Sequence, residues 1–502
     1  MFPCRPPGAA SSSRVQGHPD MQISIDIRPV DQPRQGGKTL VRKCGVLGRK
    51  GRTRQFFKLF DIGTGRKYRV GPVAFGVWEQ LETIENAFWP EGEKERAIDD
   101  LLNAGLIHDG TPEEMPPLQV VTTDNESLDY VVLRPTGRCN LHCSYCSFDS
   151  SPRDDGFMSD ELLDTVVNQI DALGIPEVHI SGGEPLLHPG LFALIERLRP
   201  RHLVSLATNG TLVDGEIASA LSRLRLANLN VSLDGPDEAV NSLTRGRGSF
   251  DSAVRGIRCL IEAGIDPTVI CTVTRSNAPH LRPFLALCRD LGVRKIGMNH
   301  LWLCGRALQD AAGLPTDDEH ERIRESIQDW LPSTRGEICV AENDPVHLTV
   351  VDYSYRPILA QVSASRTSFA STDEEGCGLF QCMAGDWALG ILPDGAVVAC
   401  PMAKGFPVGS LLTQPLEEIW LDSPRLNYLR GLRSIYTKSI AVCRDCDHAP
   451  RCNGGCRANA FNVFGDWLAP NPQCPVVQAK MDLRGSVKGA LDGSAGCAGC
   501  QR

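Results

Sequence analysis

An α/β fold built on a parallel sheet is predicted, and three observations carry it. Short apolar runs recur through the middle of the 502-residue chain: Tyr130-Val131-Val132-Leu133, Val178-His179-Ile180, Leu203-Val204-Ser205-Leu206, Leu229-Asn230-Val231 and Val269-Ile270-Cys271-Thr272-Val273. Helix-period segments separate them, for example Glu161 through Leu173 and Leu191 through Leu198. Small polar motifs follow several of the runs, as expected where ligands gather at the carboxyl ends of parallel strands.

In chain order, residues 1–40 are rich in Pro, Gly, Ser and Gln and poor in large apolars, so this segment is expected to be disordered. Its start, Met1-Phe2-Pro3-Cys4-Arg5-Pro6-Pro7, has no apolar core of a secretory signal. Nothing approaches the roughly 18 apolar residues of a membrane span. A net charge of −9 argues against a general nucleic-acid binder. The expectation is a cytoplasmic chain with neither membrane nor nucleic acid as partner.

Residues 41–115 read differently. Phe56 through Val70 forms a hairpin pattern around Gly63-Thr64-Gly65, and helix patterns follow near Val73–Leu81 and Glu93–Leu102, the second ending at Asn103-Ala104-Gly105-Leu106-Ile107. Segment 41–70 carries ten basic residues against one acid, Asp61. This order resembles the small winged-helix-like module, similar to pyrroloquinoline quinone D, that binds leader peptides in enzymes maturing ribosomally made peptides. The resemblance implies a precursor peptide as partner, with Arg52, Arg54 and Lys58 selecting an acidic leader. A solvated basic hairpin and a DNA-binding wing are the competing readings.

Directly after the first apolar run stand Cys139, Cys143 and Cys146, spaced C-x3-C-x2-C. Three thiolates can hold three irons of a cubane 4Fe–4S cluster and leave the fourth iron open. A zinc site would usually bring a second Cys or His pair close by, and a chance group of structural thiols is the other alternative. Downstream come Ser181-Gly182-Gly183-Glu184-Pro185, Ala207-Thr208-Asn209-Gly210, Val231-Ser232-Leu233-Asp234-Gly235 and Arg245-Gly246. Cysteines and motifs in this order resemble the radical S-adenosylmethionine (SAM) superfamily.

That resemblance implies a partial (β/α)6 radical SAM barrel over residues 125–335, with a 4Fe–4S cluster on Cys139, Cys143 and Cys146 and SAM on its open iron. Gly182 and Gly183 would let backbone approach the ligand, since a side chain there would clash. Carbonyls of the Ser181–Gly183 segment, with Glu184, would take the SAM amino group. Thr208, Asn209 and Asp234 are further cofactor-binding candidates, and Ser232 would meet ribose or carboxylate. Arg245 would pair with the SAM carboxylate. Tyr145 would pack near adenine, whose edge the Val269–Val273 strand would meet. A reductant protein such as flavodoxin or ferredoxin is implied as electron donor.

The chain holds 20 cysteines, and the later ones are regularly spaced. Cys382-x12-Gly395-x4-Cys400 precedes Cys443-x2-Cys446-x5-Cys452-x3-Cys456 and then Cys474, while Leu389 through Val398 reads as a hairpin around Pro393-Asp394-Gly395. The pattern resembles the SPASM domain, placed over 370–480. It implies two auxiliary 4Fe–4S clusters, one on Cys377, Cys382, Cys400 and Cys456, the other on Cys443, Cys446, Cys452 and Cys474. Zinc at one site is the competing reading, and disulfides are disfavoured without a secretory signal. Cys259, Cys271 and Cys288 lie in apolar segments as buried small hydrophobes. The flexible tail, 481–502, ends in Cys497-Ala498-Gly499-Cys500 with no role assigned.

The expected function is therefore SAM cleavage to a 5′-deoxyadenosyl radical that modifies, by cross-linking, a ribosomally synthesised peptide. Haem or quinone cofactor biosynthesis is the alternative, since those enzymes share Gly454-Gly455-Cys456-Arg457. Sulfatase-type maturation is disfavoured because Pro401 stands where those enzymes place a carboxylate after the cysteine. A cluster-bearing electron carrier would need no SAM pocket.

Overall fold

The computed structural model describes residues 39–42, 46–51, 57–61, 66–69, 72–81, 93–110, 120–123, 128–154, 156–309, 313–344, 349–352, 384–432, 440, 442–446, 454–474 and 476–478. Residues 1–38, Arg52, Arg54, Cys377, Cys382, Cys452 and the tail with Cys497 and Cys500 lie outside the described residues.

The N-terminal unit comprises β1 (Thr39–Arg42), β2 (Val46–Gly51), β3 (Phe57–Asp61), β4 (Arg66–Arg69), α1 (Pro72–Glu79), α2 (Glu93–Asn103), β5 (Ile107–Gly110) and β6 (Val120–Thr123). The hairpin read from the glycine turn is present, with Lys58 opposite Arg69 and Asp61 opposite Arg66. β1 pairs antiparallel with β5, and the sheet order β4-β3-β2-β6 takes in a strand beyond residue 115. Phe75, Trp78, Leu81, Leu101, Leu106 and Ile107 close a core of their own with Val46 and Leu59. Burying each such side chain contributes about 1.5–3 kcal/mol.

The central sheet starts at β7 (Tyr130–Leu133) and continues with β8 (Glu177–Ile180), β9 (Leu203–Thr208), β10 (Asn228–Ser232), β11 (Thr268–Val273), β12 (Lys295–His300) and β13 (Cys339–Asp344). Among the described residues these strands run parallel and neighbour one another in chain order. Helices α3 (Asp160–Ala172), α4 (Leu191–Leu198), α5 (Gly215–Leu224), α6 (Glu238–Arg245), α7 (Ser249–Glu262), α8 (Leu281–Asp290) and α9 (Asp317–Trp330) cross between them.

Their starts are legible in the sequence. Ser159, Asp214 and Asp237 each accept a backbone N–H of the first turn of α3, α5 and α6, satisfying a donor that has no partner inside the helix. On α3 the apolar spacing places Leu163, Val166, Val167 and Ile170 in the core, where they join Val131, Val178, Leu206 and Val231 of the strands. Cys271 and Cys288 are buried there, as small hydrophobes would be; Cys259 is partly buried.

Beyond β14 (Thr349–Asp352), the expected hairpin forms as β15 (Ala388–Ile391) and β16 (Ala396–Val398), with Ile391 opposite Val397 and the Asp394 carboxylate accepting from Ala396 N. β17 (Pro407–Ser410), α10 (Leu416–Asp422), α11 (Pro424–Gly431) and α12 (Arg457–Phe464) complete this region. β15 also pairs in parallel with β7, Leu389 opposite Val131 and Ile391 opposite Leu133. The C-terminal hairpin thus extends the central sheet at its first strand and stands beside the strand that leads into the cysteine loop.

Candidate active site

The loop after β7 carries Cys139, Cys143 and Cys146 and is tied down along its length. Cys139 N donates to Ser151 O (3.1 Å), Ser144 N to Thr244 O (2.8 Å) and Cys146 N to Cys143 O (3.3 Å). The Cys139 sulfur accepts from Leu141 N (3.4 Å) and faces Asn209 Nδ2 (3.8 Å). Burial pushes the Cys139 thiol up to about 12, and the charges of Glu184, Cys143 and Cys146 add to the rise. Burial raises the Cys143 thiol too, while Arg245 and Arg306 oppose the rise.

This donor set suits an iron–sulfur cluster. Thiolates are the ligating form, and cationic neighbours and N–H donors stabilise them. Among the described residues no three His, Cys, Asp or Glu side chains are gathered to hold a single metal ion. A cubane spreads its three cysteines over three irons, whereas a zinc site closes its ligands on one centre.

Gly182 and Gly183 lie hard against this loop, which gives a further reason for having glycine there. A Cβ on Gly182 would stand 2.5 Å from Thr136 O, and one on Gly183 would land on the Arg138 carbonyl. Gly183 N donates to Thr136 O (2.9 Å) and Glu184 N to Arg138 O (2.8 Å), while Ser181 N donates to Leu133 O (3.0 Å). The glycines admit the protein's own backbone, and that contact sets the cysteine loop onto β8.

Glu184 is fully buried and its carboxylate is already engaged. It accepts from Thr208 Oγ1 (2.8 Å), Asn209 N (2.7 Å) and Leu186 N (3.1 Å). Glu184 thereby forms a bracket between the motifs after β8 and β9. Thr208 and Asn209 belong to the same bracket, and Asn209 Nδ2 also reaches Asn140 Oδ1 (2.8 Å) on the cysteine loop.

Burial lifts the Glu184 carboxyl to about 7, against the opposing hydrogen bonds. A folded-state value above the ordinary 4.5 means stability that is complete below pH 4.5 and is lost as pH rises towards 7. Glu184→Gln should remove that slope. Anaerobic thermal unfolding of the holoenzyme at pH 5 and pH 7.5 reads it, and parallel pH dependence in variant and parent would refute the assignment.

Asp234, after β10, is the second bracket. Its carboxylate accepts from Tyr145 Oη (2.6 Å), Thr244 Oγ1 (2.8 Å) and Thr272 N (2.9 Å), and pairs with Arg245 (2.8 and 3.2 Å). Arg245 is buried and lies 5.7 Å over the Tyr145 ring. Asp234 is turned into the protein, and the Arg245 guanidinium is held by Asp234. The charge pair is formed within the chain because the last residue of α6 falls opposite the end of β10.

Tyr145, on the cysteine loop, and Ser232, at the end of β10, are partly exposed. A cleft of about 290 Å³ opens beside Tyr145, walled by Ser144, Leu243, Thr244, Thr274 and Ser276. It follows directly on β11, the strand expected to meet adenine.

In the C-terminal region Cys400 and Cys456 are buried, and Cys443, Cys446 and Cys474 lie in the described loops around α12. Arg457, fully buried, donates to the carbonyls of Gly454, Gly455 (3.2 Å) and Ala469 (2.6 Å), so the Gly-Gly-Cys-Arg motif staples the loop that carries Cys456. Cys377, Cys382 and Cys452 lie outside the described residues.

Several residues of the site were not singled out from sequence: Asn140, Thr211, Arg134, Gly305 and Arg306. Arg134 is buried beneath the cysteine loop, 3.9 Å over the Phe148 ring, and burial lowers it to about 10. Arg306 donates to the cysteine loop's carbonyls. None of these follows a motif spacing, so only the folded chain reveals them.

Comparison with known proteins matches this arrangement. Residues 133–277 match the radical SAM superfamily and residues 382–447 the iron–sulfur cluster-binding SPASM domain. The mycofactocin maturase MftC of Mycobacterium tuberculosis is 31% identical over 345 residues, covering 68% of this chain and 81% of that protein. The chain belongs to the radical SAM superfamily. The PqqA peptide cyclase of Streptomyces rochei is 29% identical over 353 residues, covering 68% and 88%. In fold, the chain is similar to Streptococcus suis SuiB bound to its precursor peptide SuiA, with a TM-score of 0.66, 15% identity and coverage of 87% of this chain and 99% of SuiB. As a radical SAM enzyme with a cluster-binding domain, it works with SAM and 4Fe–4S clusters. No helix among the described residues is long and apolar enough to cross a membrane.

Proposed function

We propose that this radical SAM enzyme modifies, by cross-linking, a ribosomally synthesised peptide. The observation that carries the reading is the union of both cysteine-bearing regions in one sheet, β15 on β7, beside a separately cored N-terminal unit. The maturase and cyclase relatives support it, as does the likeness to a fold solved with a precursor peptide.

When bound, the clusters and SAM supply reductive cleavage to methionine and a 5′-deoxyadenosyl radical, and the auxiliary sites supply an electron acceptor. The protein's part is placement. Cys139, Cys143 and Cys146 would hold the SAM-binding cluster, with Leu141 N and Asn209 Nδ2 directed at the Cys139 sulfur. The cleft between Tyr145 and Thr274–Ser276 would receive the adenosyl end, with Ser232 close to its ribose. Cys400 and Cys456, with Cys377 and Cys382, would hold one auxiliary cluster. Cys443, Cys446 and Cys474, with Cys452, would hold the other. A protein reductant such as flavodoxin or ferredoxin would deliver the electron.

The N-terminal unit would bind the peptide's leader as an added strand. Among the described strands, β4 and β6 are the edges of its sheet, where unpaired backbone groups can bond a peptide. The ten basic residues of segment 41–70 favour an acidic leader. Because β6 belongs to that sheet, the informative truncation removes residues 1–123. It should leave uncoupled SAM cleavage intact and abolish peptide modification, and full-length binding should weaken with salt, since charges are screened beyond about 8 Å at physiological ionic strength. A truncated enzyme that modifies full-length peptide at the normal rate would overturn the leader-binding role of this unit, and an intact enzyme that leaves the peptide unmodified would overturn the peptide reading and favour a small-molecule substrate, as in haem biosynthesis.

A further inference from the structure

The segment after β12, Leu301 to Arg306, touches both cysteine-bearing regions. Towards the SAM-binding loop, Arg306 makes three hydrogen bonds: its N donates to Cys146 O (3.1 Å), its Nε to Cys143 O (2.8 Å) and its Nη2 to Ser150 O (2.8 Å). Gly305 has φ +55°, and a Cβ there would meet Ser147 O at 2.7 Å and the Cys146 carbonyl closer still. The backbone can therefore lie on the loop only because this residue is glycine.

Towards the auxiliary domain, the contacts fall within six residues of expected cluster ligands. Gln473, adjacent to Cys474, donates to Leu301 O (2.6 Å). Asn459, three residues past Cys456, accepts from Leu303 N (3.1 Å). Asn462 donates to both Leu303 O (3.0 Å) and Met402 O (2.8 Å). Between the two ends, the buried Cys304 thiol lies 3.6 Å from Met402 Sδ, two residues past Cys400.

We infer that Leu301–Arg306 is a strap that positions the SAM-binding cluster loop relative to the auxiliary domain, with Arg306 as its positioning residue. A planar guanidinium bonded to two separate carbonyls of one loop holds that loop's shape as well as its place, which a flexible ammonium cannot do. The other end is fixed by neutral amide side chains that carry no charge to either cluster. Displacement at the auxiliary ligands therefore reaches the SAM-binding loop through backbone.

This rests on the reading of Cys139, Cys143 and Cys146 as cluster ligands, and the test separates the two. Arg306→Gln, Arg306→Lys and Asn462→Ala are prepared as anaerobically reconstituted holoenzymes. Two quantities are read: the change that SAM produces in the electron paramagnetic resonance spectrum of the reduced protein, and the rate at which a chelator removes the iron of the SAM-binding cluster. Arg306→Gln should release that iron about tenfold faster, the loss expected for bonds to a charged donor, with Arg306→Lys only partly restoring it.

Asn462→Ala touches no residue of the cysteine loop, yet should alter the SAM-induced spectral change while the auxiliary iron stays bound. Parental spectra and release rates in Asn462→Ala would overturn the strap, and full rescue by lysine would show that Arg306 acts through charge alone. A parent that shows no SAM-dependent spectral change would instead overturn the cluster assignment itself.

Discussion

Alanine at Cys139, Cys143 and Cys146 together should lower the iron of the reconstituted enzyme from about 12 to about 8 atoms per chain and abolish 5′-deoxyadenosine formation. The auxiliary cysteines lie on other segments, Cys400 past β16 and Cys456 at the start of α12, so their clusters should survive the change. The loop itself should also survive, because bonds such as Ser144 N to Thr244 O run through backbone and not through sulfur. Iron and sulfide analysis with chromatographic detection of deoxyadenosine checks both parts. A parent carrying only about four irons would remove the two auxiliary clusters, and a triple variant with undiminished iron would remove the SAM-binding assignment.

Replacing Arg245 by Ala should cost the fold about 3–5 kcal/mol, the loss expected when one partner of a buried ion pair is removed. Asp234 would remain fully buried with its charge uncompensated, still facing Tyr145, Thr244 and Thr272. The family resemblance implies that Arg245 meets the SAM carboxylate, so that its loss weakens SAM binding more than it disturbs folding. The buried ion pair with Asp234 predicts the opposite order of effects. Denaturant unfolding of Arg245→Ala, Asp234→Ala and the double variant tests it, and the double variant should be less destabilised than the sum of the singles. Unchanged stability in Arg245→Ala with SAM affinity down at least tenfold would restore the carboxylate role.

How far the site could be read from the chain varied with the range of the interaction. The cysteine spacing, the strand–helix alternation and the N-caps at Ser159, Asp214 and Asp237 depend on neighbours a few residues apart, and all are visible in sequence. The hairpin of β15 and β16 declared itself through Pro393-Asp394-Gly395 for the same reason. The turn motifs Gly182-Gly183-Glu184 and Thr208-Asn209 are visible along the chain, yet the contacts they make with one another and with the cysteine loop are not. Glu184 also joins Thr208 to Asn209, because burial in an apolar sheet end leaves a carboxylate seeking every N–H and O–H in reach.

The sequence by itself determined the groups available to this protein: three closely spaced thiols, the order of the barrel motifs, the cysteine ladder of the second region and the basic N-terminal hairpin. Those features are local or are spacings along one chain, so no folding is needed to see them. Tertiary structure alone decided which groups face one another. It set β15 beside β7 across more than 250 residues, closed Asp234 on Arg245 and Tyr145, and laid Arg306 across the carbonyls of Cys143 and Cys146. Such pairings follow from strand order and from which buried charge lies nearest another. They leave no periodic mark in the sequence, because a hydrogen bond to a backbone carbonyl constrains the donor's position and not the identity of the residue that accepts it.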